Sequence, residues 1–441
     1  MSFFTKKSLN RFADVNIPSC GRTTQASSLR IAIGWCRNIA EIVRIKAVFI
    51  ALVWMIPLAT SFTQDLPMDG PLIATNTVDL DKIIVYDLAH DTYRELNFGA
   101  RWHFVWDFTP DGCRVLFTMS DGIEPAKLYS ARIDGRDLRE LVQFNELDDD
   151  AWGVWEPDIA PDGSKIAFTM IRDEPIVGSD DTEREYHIAW VPVEGGAPEF
   201  YSVTGQEHSP QWSPDSQWLT YTSYEERIPG ADVFSTAVPT DEPIEGLPTT
   251  VPSSIPATTI NEADLWVVSN DGATKYALTN FPTGSVSNPR WSPDSELVAF
   301  NFSPSANNDT IWMIGNQRNA IPTQLMYQWA LVLDISWLPD STHIIASMRD
   351  FNDVSENRLW KLPLVGNVET EATRYLDALG LSHADYPRFS PDGNWLVVRS
   401  AYELALVNLN DASLQWLDER TLGNTPAVWS PSGFTGEESC R

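Results

Sequence analysis

WSPDSQWLTYTS, residues 212–223, returns as WSPDSELVAFNF at residues 291–302, and that recurrence decides the fold. Further copies read FTPDGCRVLFTM from Phe108, IAPDGSKIAFTM from Ile159, WLPDSTHIIASM from Trp337, FSPDGNWLVVRS from Phe389 and a clipped WSPSG from Trp429. The seven central prolines are Pro110, Pro161, Pro214, Pro293, Pro339, Pro391 and Pro431. They lie 40 to 53 residues apart except for the interval of 79 between Pro214 and Pro293. A period of this length marks a repeat architecture, in which each unit buries its apolar face against its neighbours.

Each copy reads as a strand, a tight turn and a second strand. Proline pre-sets φ for the second residue of a type I turn, Asp or Ser bonds nearby backbone, and Gly or Ser closes the turn. The β-branched and aromatic run that follows suits a buried strand. A third strand begins at Lys127, His187, Asp264, Thr310 and Arg358, with the aromatic column Tyr129, Trp190, Trp266, Trp312 and Trp360. A shorter fourth strand follows, for example over 274–279 and 137–143. Four antiparallel strands per period predict an all-β fold, a β-propeller of four-stranded blades around a channel. The last copy lacks its second strand, while PLIATNT from Pro71, DKIIVYDLAHD from Asp81 and TYREL from Thr92 supply three strands at the other end. One C-terminal strand plus three N-terminal ones close the ring and remove its free edges. The expectation is seven blades, with six as the alternative.

The Trp-Ser-Pro-Asp-Ser/Gly repeat followed by an Ile-Ala-Phe-like strand resembles that of TolB-type β-propellers, over residues 70–441. The resemblance implies platforms that bind proteins, peptides or glycans, propeller domains attached to serine peptidases, or a few sugar lyases.

Residues 1–61 pose a separate question. KAVFIALVWMIPLATS from Lys46 is a short apolar core behind Arg44 and Lys46, ending in a small-x-small pattern, and reads as an export signal. The forty residues ahead of it suggest a start codon assigned too early, with translation from near Val43. The alternative is a retained anchor over 47–62. The propeller then occupies 62–441, with a Pro- and Thr-rich insertion at 225–263 that cannot build a core. The net charge is −30, and since residues 1–61 hold eight basic and two acidic residues, their removal makes it −36. Such a field repels nucleic acid and anionic lipid, so the expected partner is a protein, peptide or glycan, bound by a monomer in the periplasm or outside the cell.

Cys113 and Cys440 remain after that cut, one just past a turn and one in the C-terminal tail, and are a candidate disulfide. The candidate binding face carries Asp148, Asp149, Asp150, Trp152 and Trp155 in one entry loop and Asp180 and Asp181 in a neighbouring insertion. Those carboxylates could take Ca²⁺, although neither run matches a spaced calcium loop, and a solvated acidic surface is the simpler reading. His103, His208 and His383 each fall at a loop-to-strand junction and could converge on a transition metal. Without a Gly-x-Ser-x-Gly elbow or a His-Glu-x-x-His pair, no catalytic residue and no cofactor are expected. The function expected is an exported, non-catalytic binding or scaffold module. A metal-dependent, lyase-like carbohydrate enzyme is the alternative.

Overall fold

The computed structural model describes residues 67–122, 125–144, 152–175, 182–201, 206–227, 260–304, 309–325, 331–349, 356–365, 371–401, 403–417 and 426–440. The chain divides into units 1–62 and 63–441, and the expected export signal and most of the 225–263 insertion lie outside the described residues. No helix among the described residues is long and apolar enough to cross a membrane.

The second unit is an all-β propeller whose typical blade has four antiparallel strands. Among the described residues five such blades are present, four spanning 102–140, 152–200, 332–374 and 385–416, and the fifth a composite sheet. The composite sheet pairs Leu72–Asn76, Ile83–Asp87 and Thr92–Leu96 with the C-terminal strand Val428–Trp429, through Ile73 opposite Trp429 and Ala74 opposite Val428. Apolar clusters fill the gaps between sheets: Leu72, Ile83 and Val85 of the composite sheet pack on Phe108, Val115 and Phe117 of the next.

The expectation of seven four-stranded blades, or of six, is corrected here. The repeats around Pro214 and Pro293 do not stand as two separate blades but share one eight-stranded sheet. The cause is local. Trp218–Arg227 and Ile260–Ser269 form a hairpin of ten paired residues per strand, whereas the outer strand Lys275–Ala277 covers only Trp266 to Val268. The uncovered edge of the longer strand presents backbone groups that need partners, and Ala263 meets Ser285, the start of the next strand, in a parallel bridge.

The repeat turns explain their own sequence. A hydroxyl two residues ahead of the aspartate donates to its carboxylate, from Thr109 to Asp111 and Ser213 to Asp215 at 2.6 Å and from Ser292 to Asp294 and Ser390 to Asp392 at 2.5 Å. Each carboxylate also accepts the backbone N–H two residues on, from Cys113, Gln217, Glu296 and Asn394 at 3.0 to 3.1 Å. The choice of Ser after the aspartate reaches across sheets: Ser216, Ser295 and Ser341 accept the N–H of Asp162, Asp215 and Asp294 in the preceding turn at 2.9, 3.0 and 3.2 Å. These serines sit at φ 60°, 64° and 58°, a backbone region that ordinarily favours glycine, so the inter-turn bond offsets a local strain.

Cys113 and Cys440 form a disulfide, with Cα atoms 5.3 Å apart and 327 residues between them in sequence. It ties the tail that follows the composite sheet to the first turn of the neighbouring blade. The same tail is held by Arg94 to Glu437 at 3.2 Å and by the Glu437 N–H donating to the Met68 carbonyl at 2.8 Å. Phe434 covers Gly112, where a Cβ would come within 2.6 Å of its ring and where φ is +71°. Closing so long a loop restricts the unfolded chain, so Cys113→Ala is expected to lower stability by about 2–4 kcal/mol. Urea unfolding of the oxidised and dithiothreitol-treated protein checks this, and coincident midpoints would contradict it.

Candidate functional site at the central channel

The first strand of each repeat lines the channel, and among the described residues six of these strands carry a register shift: Val105/Asp107, Trp155/Asp158, His208/Gln211, Ser287/Arg290, Val332/Asp334 and Asp385/Arg388. In four of them the residue before a proline has positive φ: Glu156 at 50°, Ser209 at 55°, Asn288 at 53° and Tyr386 at 51°. Proline has no N–H to give the ladder, so the strand bulges there and turns the next side chain away from regular pairing. The side chains so displaced include Asp158, Arg290 and Arg388, which with Asp107 and Asp334 form a charged neck.

One side of the neck is an ion triad. Asp334 is 1% exposed and accepts from Arg290 at 3.3 Å, Arg388 at 2.5 Å and the Asn288 amide at 3.1 Å, binding three successive first strands together. Burial pushes the Asp334 carboxyl up, but Arg388 and Arg290 outweigh it and hold the group below the usual carboxylate range. The other side is a pair of acids. Asp107 accepts the Phe108 N–H at 2.7 Å, and Asp158 accepts the Trp212 N–H of the next first strand at 2.6 Å. Poor solvation deep in the protein, reinforced by repulsion from Asp158, pushes Asp107 up to about 8. Poor solvation likewise pushes Asp158 up to about 7, against the pull of the Trp212 bond and of Arg290. Glu156, also raised by burial, accepts the Ser209 N–H and hydroxyl at 3.0 Å each.

At the end of the sheets that bears the long hairpins, partly exposed rings gather. Trp155 meets Phe104 at 5.0 Å and Trp106 at 5.1 Å, both edge to face, and His208 lies 4.0 Å from Tyr186 and 5.4 Å from Tyr224. Glu156 adjoins Trp155 in sequence, bonds Ser209 next to His208, and acts electrostatically on Tyr224. Trp152 departs from its expected place on the binding face: it is 8% exposed, in the core, with Arg172 over its ring at 4.4 Å. Asp148, Asp149, Asp150, Asp180 and Asp181 lie outside the described residues.

The three candidate metal histidines have unrelated surroundings. His103 is fully buried beside Phe98 and Phe117 with its Nδ1 3.3 Å from the Leu80 carbonyl, and burial lowers its pKa. His208 is lowered to about 4 by desolvation, so it is neutral at physiological pH. His383 is exposed. Among the described residues, no three His, Cys, Asp or Glu side chains are grouped so that they could hold a metal ion.

No family model matches the chain. It is 24% identical over 262 residues to an uncharacterized peptidase, YuxL, of Bacillus subtilis, covering 59% of this chain and 31% of that protein. It is 25% identical over 152 residues to an uncharacterized protein, Atu1656, of Agrobacterium fabrum, covering 34% and 46%. The chain thus spans less than half the length of these curated relatives. Among solved structures, a puromycin hydrolase superposes with TM-score 0.54 at 14% identity, over 82% of this chain and 54% of that one. An oligogalacturonate lyase in complex with manganese gives 0.50 at 15%, over 77% and 84%. TolB from Acinetobacter baumannii gives 0.43 at 12%, over 82% and 67%. At these identities the likeness to the puromycin hydrolase and the oligogalacturonate lyase bears on the fold alone and leaves activity to the chain's own residues.

Proposed function

We propose that the protein is an exported, non-catalytic binding platform that engages a protein, peptide or glycan at the propeller end bearing the long hairpins. The observation that carries this reading is the pair of aromatic groups there, Phe104 with Trp106 and Trp155, and Tyr186 with His208 and Tyr224, with Glu156 following Trp155 on the same strand. Aromatic rings fixed on strands present large, rigid, amphipathic contact area at low entropic cost, and a carboxylate among them adds orientation. Export is supported by the Cys113–Cys440 disulfide, since such bonds persist in oxidising compartments. The charge of −30 favours cationic or neutral partners over nucleic acid.

Tryptophan fluorescence tests the reading against oligolysine, chito-oligosaccharide and oligogalacturonate, each with and without Mn²⁺. Saturable quenching by one of them is expected, with the added molecule recovered intact. Trp155→Ala should weaken that binding at least about tenfold, or roughly 1.4 kcal/mol, while circular dichroism shows the fold retained. Cleavage of either oligosaccharide would replace this reading with the metal-dependent carbohydrate enzyme. Binding unchanged in Trp155→Ala would move the contact surface elsewhere.

A further inference from the structure

At the opposite, turn-bearing end of the channel lies a cavity of about 300 Å³, walled by Trp291, Trp337, Phe389 and the prolines of three repeat turns, with Arg290, Ser336 and Arg388 in its lining. That volume is at the lower end of the range for small-molecule sites. Both arginine side chains are about a quarter exposed, at 25% and 22%, although Asp334 beneath them is 2% exposed at its side chain.

The guanidinium groups have donors to spare. Arg290 gives Nη2 to Asp334 and Nη1 to the Pro289 carbonyl at 3.0 Å, while Arg388 gives Nη1 to Asp334 and to the Pro387 carbonyl at 2.8 Å. Nε of both and Nη2 of Arg388 have no acceptor among the described residues, and a guanidinium carries five N–H donors in all. Two guanidinium groups against one contacting carboxylate leave one positive charge at the cavity, and Asp158 also acts on Arg290 electrostatically. The indole N–H groups of the walls are already engaged, that of Trp291 donating to the Gln211 carbonyl at 3.2 Å and that of Trp337 to the Arg290 carbonyl at 2.9 Å, which leaves the guanidinium groups as the cavity's charged donors.

We propose that this cavity binds a monocarboxylate with an apolar body of about amino-acid size. The planar carboxylate matches the free N–H fork of Arg388, its single charge matches the single excess charge, and the apolar body packs on the aromatic and proline walls. A phosphate dianion fits less well, because it brings twice the charge and a strongly held hydration shell to walls that cannot replace it. The site lies at the other end of the channel from the aromatic groups of the platform reading and does not depend on that reading.

The test is calorimetric titration of the full chain with N-acetylphenylalanine, its amide, the tripeptide Gly-Gly-Phe and inorganic phosphate. Saturable one-to-one binding of N-acetylphenylalanine is expected, with the amide and phosphate weaker by about tenfold or more. Tighter binding of the tripeptide would identify a peptide C-terminus as the source of the carboxylate, and equal binding a free acid. Arg388→Gln should abolish the preference for acid over amide. Because that variant loosens the ion triad, Ser336→Phe provides the independent check: it fills the cavity, leaves every charge in place and should abolish binding. Equal affinity for acid and amide, phosphate as the tightest ligand, no saturable binding of N-acetylphenylalanine, or undiminished binding by Ser336→Phe would each overturn the proposal.

Discussion

Asp334→Ala is expected to lower stability by about 3–5 kcal/mol, because breaking a buried ion cluster by removing one member leaves the other charges uncompensated. Asp334 is the only carboxylate recorded in contact with Arg290 and Arg388 among the described residues, and it also accepts the Asn288 amide. Its loss therefore unties three neighbouring first strands and leaves two like charges facing one another in the neck. The cavity gives both guanidinium groups partial access to water, which places the expected loss toward the lower end of that range. Urea unfolding should show a lower midpoint with an unchanged slope. Replacing Arg290 and Arg388 with Met in the Asp334→Ala background should restore much of the stability, since the penalty comes from unpaired charge more than from a lost bond. A single-variant loss under about 1 kcal/mol would mean that solvent entering through the cavity already compensates the arginines.

The repeat made the strand order legible because its turn is a local chemical device: the hydroxyl of Ser213 and the carboxylate of Asp215 in Ser213-Pro214-Asp215 find their partners within five residues. What was not legible depended on partners far away in sequence. The shared eight-stranded sheet rests on one contact between Ala263 and Ser285, made because a hairpin outruns its neighbour, and strand length inside a long insertion is invisible to periodicity. Trp152 was expected on a loop because acids precede it, yet it opens a first strand and packs under Arg172 from the next strand. Asp107, Asp158, Arg290, Asp334 and Arg388 were passed over altogether. A signal for three of them existed. In EPDIAP, SPQWSP, NPRWSP and YPRFSP a second proline stands four residues ahead of the repeat proline, and the residue after it is Asp158, Gln211, Arg290 or Arg388. Read as loop punctuation, that proline says little; read as a bulge inside a strand, it marks the side chain sent toward the channel.

The acid pair in the neck leads to the second large expectation, a stability that falls as pH rises. Asp107, held at about 8, keeps its proton in the folded protein over a range where the unfolded chain, with its aspartates near 3.8, has lost it. The native state then binds more protons than the unfolded one, so unfolding free energy decreases with pH between about 4 and about 8 and levels off above. Each pH unit in that window is worth about 1.4 kcal/mol for a fully shifted group. Water in the channel and the sharing of repulsion between Asp107 and Asp158 reduce the total, giving about 2–4 kcal/mol for one group. Asp107→Asn keeps an oxygen to accept the Phe108 N–H but has no proton to lose. The variant should therefore match the wild type near pH 4 and exceed it by that amount above pH 8, with the gap opening as pH rises. Since the substitution also removes the charge that Asp107 sets against Asp158, the Asp107→Asn/Asp158→Asn double variant should gain less than the sum of the two single gains. Parallel stability profiles for wild type and Asp107→Asn from pH 4 to pH 9 would show that Asp107 is already ionised in the folded channel and would overturn this expectation.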